Sequence, residues 1–116
     1  MTHKRFEIWS ADLNPRIGTE RGKIRPVVVI QSDLLNDIHP STIICPITTN
    51  IENKSEILRV HIIKGEAGLT KNSDILVDQI RAIDNTRFKK KIGELEEKSK
   101  LKLIENLKIV LDLETI

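Results

Sequence analysis

Arg25 and Pro26 stand where the polar run Gly18-Thr-Glu-Arg-Gly-Lys gives way to the apolar run Val27-Val-Val-Ile30. Proline at the first residue of a strand gives up no ladder donor, and it drives the residue before it into an extended conformation. The guanidinium of Arg25 is therefore held at the rim of a strand, beneath a bendable loop, and its planar fork of donors suits a phosphate. The residues alone leave a second reading open, a rim charge paired with a carboxylate, and for Thr48 a strand-end hydroxyl that satisfies a backbone group. Other chemistry-bearing residue types are sparse. Cys45 lies inside the apolar run Thr42–Thr48 with no base beside it, which reads as a small buried hydrophobe. His3, His39 and His61 show no metal-like spacing, so neither a metal nor another cofactor is expected. Trp9 reads as core or interface packing, with base stacking as the alternative. Arg87-Phe-Lys-Lys-Lys91 reads as a solvated basic turn, with attraction of an anionic partner as the other reading.

The elements that must position these residues read as short strands. Phe6–Leu13 alternates and ends at the turn signal Asn14-Pro15. Arg25–Gln31 is the second strand, and Ser32–Ser41 a polar loop with room for one helical turn. Thr42–Thr48 is rich in β-branched residues, and Pro46 marks it as an edge strand or a bulge. Ile57–Ile63 alternates strictly, which puts Arg59 and His61 on the solvent face. Asp74–Ile83 reads as a fifth strand of confused parity, since Asp78 shares a face with Leu76 and Ile80. A carboxylate is rarely buried unpaired, so a bulge or a cleft with a cation is expected there. From Lys98 the period changes to that of a helix of roughly 13–15 residues, with Ser99 as N-cap and Leu101, Ile104, Leu107 and Leu111, with Leu103 and Val110 beside them, on its apolar face. Five strands, no βαβ alternation and one terminal helix predict a mainly β fold, a small antiparallel barrel with a C-terminal α-helix.

A chain of 116 residues with 39% hydrophobic and 31% charged residues is that of one globular domain, 1–116. A net charge of +2 is too small for charge-driven binding to long duplex DNA but allows a short anionic ligand. With Phe6, Trp9 and Phe88 as the aromatics and no tyrosine, a base-stacking sheet is not expected. No apolar run reaches the ~18 residues of a membrane span, and the first residues carry no hydrophobic signal region, so no membrane partner and a cytoplasmic location are expected.

In order and spacing, Glu7-Ile-Trp9, Asp12-Leu-Asn-Pro15, Gly18-Thr-Glu20, Arg25-Pro-Val-Val-Val-Ile30, Pro46-Ile-Thr48, Gly68-Leu69 and Asp78-Gln-Ile-Arg-Ala-Ile-Asp84 together resemble the MazF/PemK/Kid ribonuclease toxins. The resemblance covers nearly the whole chain. It implies an SH3-like barrel, a homodimer, metal-independent cleavage of single-stranded RNA, and inhibition by a cognate antitoxin. It further implies that Arg25 and Thr48 are the catalytic pair, and that Thr19, Glu20, Pro26, Thr49, Asp78, Gln79 and Arg81 contribute to RNA binding. Thr19 stands where some members have histidine, and Leu76 where some have arginine.

The implied reaction needs no metal. A ribose 2′-hydroxyl attacks the adjacent phosphorus and the 5′-oxygen leaves, so the protein must align the two and stabilise phosphoryl charge. Arginine remains protonated. It serves as acid and charge stabiliser but is a poor base, so a second group is needed, Glu20 first and Asp78 in reserve. The competing reading is a non-catalytic toxin of the same fold that grips a protein such as DNA gyrase. That branch carries a tryptophan near its C-terminus, where this chain ends Leu-Glu-Thr-Ile116. A third reading is an RNA-binding barrel without activity.

Overall fold

The computed structural model describes residues 2–15, 18–19 and 23–113. Its strands are β1 (Glu7–Asp12), β2 (Ile24–Val29), β3 (Ser41–Thr48), β4 (Arg59–Ile62), β5 (Ser73–Leu76), β6 (Arg81–Asp84) and β7 (Phe88–Glu94), followed by one helix, α1 (Glu97–Leu111). All pairings are antiparallel, in the order β4-β5-β3-β2-β1-β7 with β6 also on β3. The turn Glu66–Gly68 after β4 packs on β7, and a Cβ at Gly93 would stand 2.2 Å from the Ala67 carbonyl oxygen. Backbone contact thus brings the two ends of the sheet together. The expected small barrel with a C-terminal helix is the architecture found, its seam closed by packing rather than by a ladder.

The continuous apolar run of β2 is explained by burial on both faces. Val28 joins Ile8, Cys45, Ile47, Val60, Ile62, Ile75 and Leu103 in the main core, while Val27 and Val29 join Trp9, Leu13, Ile44, Ile83 and Phe88 in a second one. Trp9 is buried, as core packing requires. His3 stacks on Phe88 at 3.7 Å between ring centroids, and burial there holds its imidazole below the ordinary value.

Four expectations need correction. β3 is not an edge strand: it pairs with β2 on one side and with β6 and β5 on the other. Pro46 falls at the step where that second neighbour changes from β6 to β5, so it interrupts neither ladder. Asp74–Ile83 is two strands, β5 and β6, separated by a turn at residues 77–80, and Asp78 is exposed on that turn. The confused parity was the trace of this break. From Phe88 the basic segment is strand β7 rather than a turn, its three lysines exposed as expected but Phe88 buried, while Arg87 ends the turn Asn85–Arg87 before it. Finally, Ser99 is buried inside the first turn of α1, with Glu96 at the N-cap. The buried stripe runs through Ser99, Leu103 and Asn106 with Leu107 and Val110 beside it, while Leu101 and Leu111 are exposed.

Candidate functional site

The β2–β3 ladder pairs Val27 with Pro46, and Arg25 and Thr48 each lie two residues beyond that pair. Strand alternation puts both on one face, so a guanidinium and a hydroxyl start from neighbouring strands and project to the same side. Arg25 is half-buried and Thr48 buried. Arg81 pairs with Ile44 on the same ladder face of β3. Gln79 lies in the turn 77–80, which spans the two β3 residues, Cys45 and Pro46, between the β6 and β5 ladders. Gln79 Oε1 and Arg81 Nη1 are buried without a hydrogen-bond partner. Such orphaned groups are costly, so an acceptor and a donor are held ready here for something polar.

The remaining sequence-derived residues divide. Thr49 is exposed at the end of β3, and Thr19 is exposed in the β1–β2 loop. Asp78 is exposed beside Gln79. Pro26 is neighbour to Arg25 in the strand and by alternation falls on the opposite face. Glu20 lies outside the described residues. Leu76 is buried and pairs with Arg59 across the β4–β5 ladder.

The neck of the β1–β2 loop is fixed. Lys23 N–H donates to Asn14 Oδ1 at 2.6 Å and Leu13 N–H to the Lys23 carbonyl at 2.9 Å. Arg87 Nη1 donates to the carbonyls of Asp12, at 2.9 Å, and of Asn14. Part of the basic segment therefore clamps the loop that leads to Arg25. Cys45 is buried and its thiol is pushed up to about 12 by burial, and further by the Asp78 charge, so it stays a neutral thiol.

One cluster was missed from the sequence. Asp74 is wholly buried, yet Oδ1 receives His61 Nδ1 at 2.6 Å, and Oδ2 receives Arg59 Nη1 and the Glu52 N–H at 2.9 Å each. Across the ladders Asp74 pairs with Thr48 on one side and His61 on the other. The available signal was an aspartate entering the apolar run Ile75-Leu-Val77, with Arg59 and His61 at period two on the preceding strand. His61 is on the open face as expected, but its ring is tied to a buried charge.

Residues 4–111 match the family described as PemK-like, MazF-like toxin of type II toxin-antitoxin system. The chain belongs to this family. This PemK/MazF-like chain is 39% identical over 113 residues to the Endoribonuclease EndoA of Bacillus subtilis, covering 97% of each. It is 44% identical over 115 residues to the Endoribonuclease MazF of Staphylococcus saprophyticus, covering 97% of this chain and 94% of that one. Among solved structures, MazF from Deinococcus radiodurans superposes with a TM-score of 0.80 at 20% identity over 97% of this chain and 98% of that one. An endoribonuclease from Mycobacterial species, solved in complex with its cognate antitoxin, gives 0.80 at 15% identity over 98% and 99%. At those identities the structural likeness speaks for the fold.

Proposed function

We propose that this chain is an endoribonuclease toxin that cuts single-stranded RNA at short sequence motifs, without a metal ion, under the control of a cognate antitoxin and as a homodimer. The 2′-hydroxyl of one nucleotide loses its proton and bonds to the adjacent phosphorus. The 5′-oxygen leaves with a proton, giving a 2′,3′-cyclic phosphate and a 5′-hydroxyl. Arg25 stabilises the phosphoryl oxygens and protonates the leaving oxygen, and Thr48 donates its hydroxyl hydrogen to a non-bridging oxygen. Glu20 takes the proton from the 2′-hydroxyl. Gln79 and Arg81, with Thr19, Thr49 and Asp78, make up the RNA-binding surface, and Pro26, on the opposite face of β2, acts only by fixing the backbone that carries Arg25.

The observation that carries this reading is the common face of Arg25 and Thr48 on neighbouring strands, with Arg81 on that face and orphaned polar atoms on Gln79 and Arg81. The names of the relatives support the substrate class, and a relative solved with its cognate antitoxin supports the partner. The test is incubation of the protein with long single-stranded RNA in excess EDTA. Discrete cuts bearing 2′,3′-cyclic ends are expected, and Arg25→Ala and Thr48→Ala lower the rate on the order of 100- to 1000-fold at unchanged melting temperature. Binding without cuts would overturn the catalytic assignment. Glu20→Gln is expected to remove the acidic limb of the pH–rate profile, and an unchanged profile rejects Glu20 as base. Sedimentation at micromolar concentration is expected to give a dimer.

A further inference from the structure

We infer that Asp74 is a positioning residue for the active site, ordering the loop after β3 and through it the hydroxyl of Thr48. Its role rests on the proposed function for the part Thr48 plays in cleavage, and on the structure alone for the ordering of the loop.

A buried carboxylate is unfavourable unless its oxygens are filled, and those of Asp74 are filled in a directed way. Oδ2 accepts from the backbone N–H of Glu52 at 2.9 Å, which ties the loop directly to β5. The same oxygen accepts from Arg59 Nη1 at 2.9 Å, and that nitrogen also donates to the Asn50 carbonyl at 3.0 Å. Asn50 in turn donates its N–H to Thr48 Oγ1 at 3.1 Å. An unbroken chain of hydrogen bonds therefore runs from Asp74 through Arg59 and Asn50 to Thr48. Its first and last members also face each other across the β3–β5 ladder.

The last bond fixes the position of the hydroxyl oxygen. A threonine oxygen has two lone pairs and one hydrogen. With one lone pair engaged by Asn50, the hydroxyl oxygen is held in place and its hydrogen remains available as a donor, which is what an anionic phosphoryl oxygen requires. His61 occupies Oδ1 as an Nδ1–H donor, because an ionised carboxylate only accepts. It holds the carboxylate plane that presents Oδ2 to the loop.

Amide hydrogen exchange by NMR and cleavage kinetics on one RNA substrate test this in Asp74→Asn and Arg59→Met. Asp74→Asn keeps the shape but loses the charge, and Arg59→Met keeps the half-exposed stem in case the first variant does not fold. In both, exchange at the Asn50 and Glu52 amides should quicken about tenfold while core amides such as Val28 stay slow. The kcat should fall on the order of 10- to 100-fold with KM changed less than about twofold, the mark of misplacement rather than lost binding. Unchanged exchange at Asn50 and Glu52 overturns the inference, whether or not kcat falls. Faster exchange with unchanged kcat overturns the link to Thr48. Should the wild-type protein cut no RNA, the exchange result still decides the loop's dependence on Asp74, and only the nuclease reading fails.

Discussion

Glu7 shows how a single carboxylate can be buried to advantage. Burial pushes its pKa up, but hydrogen bonds from Lys91 Nζ, the Trp9 indole and the Lys4 backbone together outweigh that and leave it below 4.5. Because the folded value is depressed, the stabilisation is fully present above the unfolded value near 4.5 and is lost as pH falls through the folded one. Glu7→Gln should therefore lower stability by about 1–3 kcal/mol at pH 7, with the difference shrinking as urea melts are repeated toward pH 3. The Cys45 thiol is the opposite case. Burial and a pKa of about 12 predict that native protein resists iodoacetamide at pH 8 and reacts once unfolded. Its inertness was legible from its apolar neighbours. Asp74 was not, because its partners Arg59, His61 and the Glu52 amide are distant in the chain and meet only when three strands are in register.

At the scale of elements, periodicity identified strands where one or both faces are buried, β4 at one margin of the sheet among them, and failed at β7 on the other. β1, β2 and β3 were legible because their side chains meet cores. β7 reads Phe-Lys-Lys-Lys-Ile-Gly-Glu, with three exposed lysines in succession, and no alternation survives. Edge strands carry lysines because unpaired edges must resist pairing with other chains. The split of β5 from β6 was hidden because Val77 is buried in the turn itself, continuing the apolar run past the break. Gly93 tests whether β7 closes the barrel. An alanine Cβ there would meet the Ala67 carbonyl at 2.2 Å, so backbone must shift. Gly93→Ala should cost about 1–3 kcal/mol in denaturant unfolding. A variant as stable as wild type would mean that the Glu66–Gly68 turn does not rest on β7.

At the scale of the whole molecule, α1 docks on the sheet beside β4 and adds Leu103 to the main core. Its 3.6-residue period revealed a helix and put Leu103, Leu107 and Val110 on the face that packs on the core, but hydrophobicity alone misplaced Leu101, which is exposed, and gave no sign of Asn106, which is buried. Asn106 is inside because β4 and the segment before it offer carbonyls that no strand satisfies. Its Nδ2 donates to the Glu56 carbonyl at 3.0 Å and the Arg59 carbonyl at 3.3 Å. That bond also pins the backbone of Arg59, whose guanidinium reaches Asp74, so the helix supports the candidate site from behind. Leu103, one turn earlier and fully buried in the main core, supplies the apolar half of the same joint. Leu103→Ala should cost about 2–5 kcal/mol by leaving a cavity, and Asn106→Leu about 1–3 kcal/mol by stranding two carbonyls. The two residues share one interface, so the double variant should fall short of the sum. A strictly additive double variant would show that the two contacts are independent, and that the helix does not dock on β4 as one unit.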